Sequence, residues 1–345
     1  MRKLIIFVVA FIFLIITFIF PTYPMSDFYQ YWAASLDFAQ YIKGGILIIV
    51  YAIFSRFGIP AFLAATIINF SSFLLLAFVF PKNRHANWIL LFIGFSWAVW
   101  SPIVNSDLPH TALLVAGISL LLKRKYLIAF MLIAFASSIR LQIVPVSILV
   151  LSILLVTSFR CRIVKKEVLI VIVAIIIGLL IDAGLKMPSV QRVEIVKSQR
   201  VPIYAGLIAT KPGEKCGEIT SFAKKKVQLE KDKPLLSVLK LPPELPSILL
   251  CKWVKFAIYS SSASFWLQKF NGGSIYQFIY VFESIVVFIL KGLCVWLLIK
   301  NQNSPYAKIA FIFQVGYFGV HTFLEIQSRY LIPPLALSLF LLCHK

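Results

Sequence analysis

GGILIIVYAIF, residues 44–54, decides how this chain is threaded. The run is uniformly apolar, yet a helix needs about 20 residues to cross ~30 Å of hydrocarbon. Arg56 follows almost at once. If the run crosses a membrane, every later connection changes sides. If it lies flat, the sides hold.

The rest of the chain is as apolar as this stretch. Hydrophobic residues make up 60% of the 345, and the mean hydropathy is +0.92. Long runs such as Leu4 to Phe20 and Val168 to Ile181 read as membrane-crossing helices. Backbone polar groups in lipid must be satisfied within the chain, which favours helices. A β-barrel would alternate apolar and polar residues, and these runs do not. The expected fold is therefore an all-α integral membrane bundle. The N-terminal MRKLIIFVVAFIFLIITFIFPTYP has the basic start of a signal peptide, but its core is long and no small-x-small cleavage site follows. An uncleaved first helix is expected.

The net charge is +21, from 34 Lys and Arg against 13 Asp and Glu. No nucleic-acid-binding motif accompanies it, and nucleic acid is not an expected partner. Much of the charge sits in short connections, where it reports topology. Arg2 and Lys3 precede the first run. Lys82 and Arg84 lie in PKNRHAN, Lys123 to Lys125 in one tight connection, and Arg160, Arg162, Lys165 and Lys166 in the next. Lys300 and Lys308 flank NQNSPYA, and His344 and Lys345 end the sequence. One arrangement puts all of these on the inner side. It needs about ten spans, near 4–20, 59–80, 88–104, 109–122, 126–140, 144–159, 168–185, 276–299, 308–324 and 331–343. It also requires residues 44–54 to lie in the outer interface rather than cross.

The expected organisation is an N-terminal membrane module, residues 1–185, with a first outer loop at 21–58. An outer loop domain follows at 186–275, then C-terminal membrane helices at 276–345. The long loop is basic, which suits lipid headgroups, an anionic ligand or simply solvent. It holds Cys216 and Cys251, which either pair in an oxidising compartment or remain free thiols. No CxxC or zinc spacing occurs, and no internal repeat is evident.

This topology brings several polar residues to the outer boundary. They are Asp27 in SDFYQYW, Asp107 in NSDLPH, Arg140 in ASSIRLQ, and His321, Glu325 and Arg329 around FLEIQSRYLIPP. Each has a plainer reading: Asp27 and Asp107 as helix caps, Arg140 as a snorkelling side chain, Glu325 with Arg329 as an ion pair. Charges at membrane depth are costly and point to function. Glu283, inside the run at 276–299, has no evident role. A carboxylate can take a proton from an attacking hydroxyl. Arginines can hold a departing phosphate. A lipid-phosphate sugar donor would use both.

At these residues the chain resembles the type C glycosyltransferases, close to the protein mannosyltransferase and aminoarabinose transferase group. The matching pieces are SDFYQYW at 26–32, the stretch from NSDLPH to SSIRLQIVP at 105–145, and EIQSRYLIP at 325–333, in that order. The resemblance covers roughly the first 160 residues and the last 40. It implies an inverting transferase that moves a sugar from a polyprenyl phosphate to a hydroxyl on a lipid, glycan or protein. Asp27 would be the general base, with Asp107 assisting. Arg140 and Arg329 would hold the donor phosphate, supported by Glu325 and His321. No DxD is present, so no metal or other cofactor is expected, and no second acid stands beside Asp27. A bacterial inner membrane with the site facing outwards is the expected location. A transporter or flippase for lipid-linked sugars, or a polysaccharide polymerase or ligase, are the rival expectations.

Overall fold

The computed structural model of the chain describes residues 1–19, 29–37, 45–139, 164–185, 250, 274–323 and 332–344. Every regular element among them is helical. Asp27, Arg140, Glu325 and Arg329, the span expected at 144–159, and both Cys216 and Cys251 lie outside the described residues.

The first helix, α1, runs Arg2–Ile19. A single π-helical turn, Tyr29–Ala33, is continued by Ala34–Leu36. Then come α2 (Ile46–Arg56), α3 (Ala61–Val79), α4 (Arg84–Ala98), α5 (Asp107–Leu122), α6 (Tyr126–Ile139) and α7 (Val164–Leu185). The C-terminal part holds α8 (Ser274–Lys300), α9 (Pro305–Phe323) and α10 (Ile332–Cys343). Among the described residues, three segments are long and apolar enough to cross a membrane: Arg2–Ile19, Ala61–Val79 and Val281–Lys300. Four shorter apolar helices, α2, α5, α6 and α10, accompany them.

Both faces of these helices are apolar. On α1, Ile5, Val9, Phe13 and Ile16 are buried, while Leu4, Phe7, Phe11, Leu14 and Phe18 are exposed. That pattern belongs to a helix packed on one side and bathed by an apolar medium on the other. The exposed Phe78 of α3 and Phe278, Phe288 and Ile299 of α8 continue the apolar outer surface. By contrast α10 is buried along almost its whole length, so its twelve residues are enclosed by other helices.

Side-chain contacts fix which helix ends lie together. The Arg2 guanidinium donates to the carbonyls of Ala77 (3.0 Å), Phe80 (2.8 Å) and Pro81, and to Asn87 Oδ1. It thereby closes the C-terminal end of α3, whose last carbonyls have no partner within the helix. Ser119, late in α5, donates to Val79 O at 3.5 Å. Asn83 caps α4 by accepting from Ala86 N (2.7 Å), and its amide donates to Cys343 O (3.3 Å). The Tyr306 ring lies 5.3 Å from that of His344. Tyr126, at the start of α6, donates to Glu167 at the start of α7 (3.0 Å). The start of α1 and the connections at 80–83, 123–125 and 301–304 thus sit at one end with the close of α10. Five of the six basic segments that the charge pattern grouped together are here; Arg160 and Arg162 of the sixth lie outside the described residues.

At the opposite end α2 packs Leu47, Ile48 and Tyr51 into a second cluster with Tyr31, Ala34, Ala64, Ala65, Ile68, Val104 and Ile139. The helix is ~16 Å long, half of what a crossing takes. Gly45, at φ +49, precedes it, and a Cβ there would overlap the Ser138 carbonyl of α6. Only glycine permits both that backbone and that approach. The run that opened the reading therefore forms a short helix laid against the ends of α3 and α6.

One boundary differs from expectation. The apolar run at 88–104 predicts a helix to residue 104, but α4 stops at Ala98. Residues 99–106 form turns buried inside the bundle. Pro102 cannot supply a helical N–H, and the carbonyls freed by the break need other donors. Asn69 of α3 supplies them: its Nδ2 lies 3.0 Å from Trp100 O and 3.1 Å from Ser101 O and from Ile103 O.

Candidate functional site

The buried loop delivers Asp107. Asn105 Nδ2 donates to Ile103 O (2.9 Å), and its Oδ1 accepts from Leu108 N (3.2 Å). Capping of α5 therefore falls to Asn105, and Asp107 is the first residue of the helix rather than its cap. Its side chain is 2% exposed. Thr111 Oγ1 donates to Asp107 O at 2.6 Å, holding the first turn. A carboxylate on the first turn also meets the positive end of the helix dipole.

The first-loop turn and α6 reach the same place. Tyr31, in SDFYQYW, is buried and donates its hydroxyl to Ser106 Oγ at 3.0 Å. The residue next to Asp107 is thus in direct contact with the first-loop turn. Trp32 packs edge-on to Tyr51 of α2, with ring centroids 6.0 Å apart, which anchors that turn on the short helix. From the other side, His110 Nδ1 lies 2.8 Å from Ala136 O of α6. A carbonyl only accepts, so Nδ1 carries the proton and Nε2 keeps its lone pair. His110 is fully buried, and Nε2 has no hydrogen-bond partner among the described residues.

Of the sequence-derived candidates, Asp107 is described with its side chain, and His321 only as part of α9, which ends at Phe323. The expected alignment of His321, Glu325 and Arg329 on one face falls beyond that end.

Sequence reasoning passed over His110, Asn69 and Asn105. It also passed over Asp182, 2% exposed near the end of α7. Asp182 is one turn beyond Gly178, where a Cβ would overlap the Ala134 carbonyl and crowd Ser137. That close approach sets Asp182 beside the last turn of α6. An acid closing the apolar run 168–181 was the available signal. Glu283 now has a partner: its Oε1 accepts from Ser96 Oγ of α4 at 3.1 Å.

Compared with known proteins, the chain matches no family model, no curated protein sequence and no solved structure.

Proposed function

We propose that this chain is a multi-pass membrane glycosyltransferase. It would move a sugar from a polyprenyl-phosphate donor to a hydroxyl on a lipid, glycan or protein acceptor, with inversion. The observation that carries the reading is the meeting at Asp107. The Tyr31–Ser106 bond and the His110–Ala136 bond join SDFYQYW, NSDLPH and the helix leading to Arg140 around one buried carboxylate. SDFYQYW and NSDLPH stand 75 residues apart at the Tyr31–Ser106 bond, and a transferase of this class would bring those two together. In the proposed reaction Asp27 removes the acceptor proton with help from Asp107. The acceptor oxygen attacks the anomeric carbon, and the lipid phosphate leaves with its charge held by Arg140 and Arg329. Glu325 and His321 support Arg329. No metal or other cofactor enters this scheme.

The same reading gives the bundle about ten spans, with the basic end in the cytoplasm. The end bearing Asp107 then faces outwards, from a bacterial inner membrane. The basic connections gathered at the far end from Asp107 favour that orientation. So does α2, which packs as a short helix and leaves the connections on their original sides.

The test is sugar transfer in reconstituted vesicles, read as release of polyprenyl phosphate from a panel of polyprenyl-phosphate sugars. Wild-type protein is expected to release it. Asp107→Asn and Asp27→Asn are each expected to lower turnover by about 10²-fold or more, the usual contribution of a general base. Release at the wild-type rate by both variants, or none by the wild type with any donor, sinks the reading.

A further inference from the structure

α5 changes character along its length. From Ala112 to Leu122 the polar side chain that it buries is Ser119. Its start buries Asp107, His110 and Thr111, directly after the buried Asn105 and Ser106. Polar groups enclosed in a bundle this apolar are costly unless each has a partner. The neighbouring hydroxyls find theirs inside the chain. Thr111 donates back to Asp107 O at 2.6 Å. Ser137 and Ser138 of α6 donate to Ile133 O and Phe135 O, both at 2.9 Å.

His110 uses half of its ring. Nδ1–H donates to Ala136 O, 2.8 Å away, which fixes both the tautomer and the orientation of the imidazole. Nε2, on the other side of the ring, carries a lone pair that faces away from that carbonyl. The side chain is completely buried, and Nε2 meets no hydrogen-bond donor among the described residues. Asp107 stands three residues earlier, so the two side chains share one face of the first turn. Both present acceptor atoms there. A neutral Nε2 attracts an O–H or N–H group, whereas a phosphate oxygen would bring a lone pair against a lone pair.

We propose that His110 Nε2 accepts a hydrogen bond from a hydroxyl of the sugar being transferred, and so helps to select that sugar. The inference rests on the proposed transferase reading. There Asp107 serves the acceptor oxygen, and the sugar lies on the far side of that oxygen. His110 is one turn farther along α5, a rise of about 4.5 Å. That is comparable with the distance from an attacking oxygen to a hydroxyl of the ring it attacks. His110 takes no proton in this scheme. It is a positioning and specificity-determining residue.

The first readout is nitrogen magnetic resonance of the full chain, purified in detergent with isotope-labelled histidine. An unprotonated imidazole nitrogen shifts when a hydrogen bond forms on it, and the His110 signal is the one lost in His110→Asn. If that variant does not fold, His85→Gln, His321→Gln and His344→Gln assign the signal by elimination. Polyprenyl-phosphate sugars are expected to move it, and polyprenyl phosphate without a sugar to leave it in place. The second readout is kcat/KM for release of polyprenyl phosphate in vesicles. His110→Asn should lower it about tenfold with the intact donor, the effect of one lost hydrogen bond. Donors that each lack one sugar hydroxyl then locate the partner, because with one of them wild type and variant should perform alike. The same loss with every such donor puts the hydroxyl on the acceptor and overturns the proposal. So does a shift produced by polyprenyl phosphate alone. Release by the wild type with no shift of the nitrogen overturns it too, and leaves the transferase reading standing. A shift without release keeps the sugar site and sinks the transfer reading, and the absence of both sinks both.

Discussion

Arg2 and Asn69 do related work at opposite ends of the bundle. Each is a side chain that donates to several carbonyls left over where a helix stops. At the basic end Arg2 closes α3 at the surface, and the chain turns back at once through a short connection. At the other end Asn69 holds a buried loop open inside the bundle, and that loop presents Asp107. The first arrangement finishes a helix. The second keeps irregular backbone where regular backbone would fit, which is the arrangement a site requires.

That contrast can be broken most severely at Asn69. Asn69→Leu keeps the volume and removes the donor to Ser101 O, while Trp100 O keeps Ile103 N and Ile103 O keeps Asn105 Nδ2; a buried carbonyl left without a donor costs about 1–3 kcal/mol, and each weakened bond about 1 more. With one carbonyl orphaned and two keeping a second donor, about 2–4 kcal/mol of lost stability is expected, read by heat or denaturant unfolding in detergent. Unchanged unfolding would mean that the loop needs no such support. Next in size is Gly178→Ala. The added methyl meets the Ala134 backbone, and overpacking of this kind costs about 1–3 kcal/mol. If the last turn of α6 belongs to the site, this variant should lose transfer activity beyond its loss of stability.

Arg2→Met should cost less, about 1 kcal/mol, because water can reach part of what the guanidinium leaves. It should not alter activity in the protein that remains folded, and a specific activity loss would erase the distinction between the two ends. The smallest effect on stability, and the sharpest on chemistry, is expected at His110. Asn places an amide N–H near the position of Nδ1, whereas Gln places one near Nε2. His110→Asn should keep the bond to Ala136 and the unfolding temperature. If its turnover also equals the wild type, His110 is only an anchor. If turnover falls, the Nε2 lone pair is used.

Much of the helix layout was readable because long apolar runs bounded by basic or turn residues leave few alternatives. The runs at 59–80, 109–122, 126–140 and 276–299 appear as helices at 61–79, 107–122, 126–139 and 274–300. The run at 88–104 misled for a definite reason. A loop buried in the bundle must be apolar for the same cause as a helix, so hydropathy does not separate Trp100, Ile103 and Val104 from the residues of α4. What separates them is Asn69, some thirty residues earlier, and that relation is tertiary. Asp107 stood out as an acid between apolar runs. His110 and Asn105 did not, because their meaning lies in Ala136 O and Leu108 N rather than in their own identity. Asp182 was visible as a lone acid and was passed over because it follows a long run without a motif.

The loop held by Asn69 also has a timetable. Asn69 is synthesised 31 to 34 residues before the carbonyls that it will serve. At about 5–20 residues per second, the ribosome takes on the order of a few seconds to supply them. Throughout that interval α3 carries an amide in the middle of an apolar helix, with its own partners still unmade. The helix therefore has a temporary appetite for any carbonyl or chaperone within reach. Until residues 100–103 arrive, the Asn69 amide lacks the partners that hold the buried loop in the finished fold.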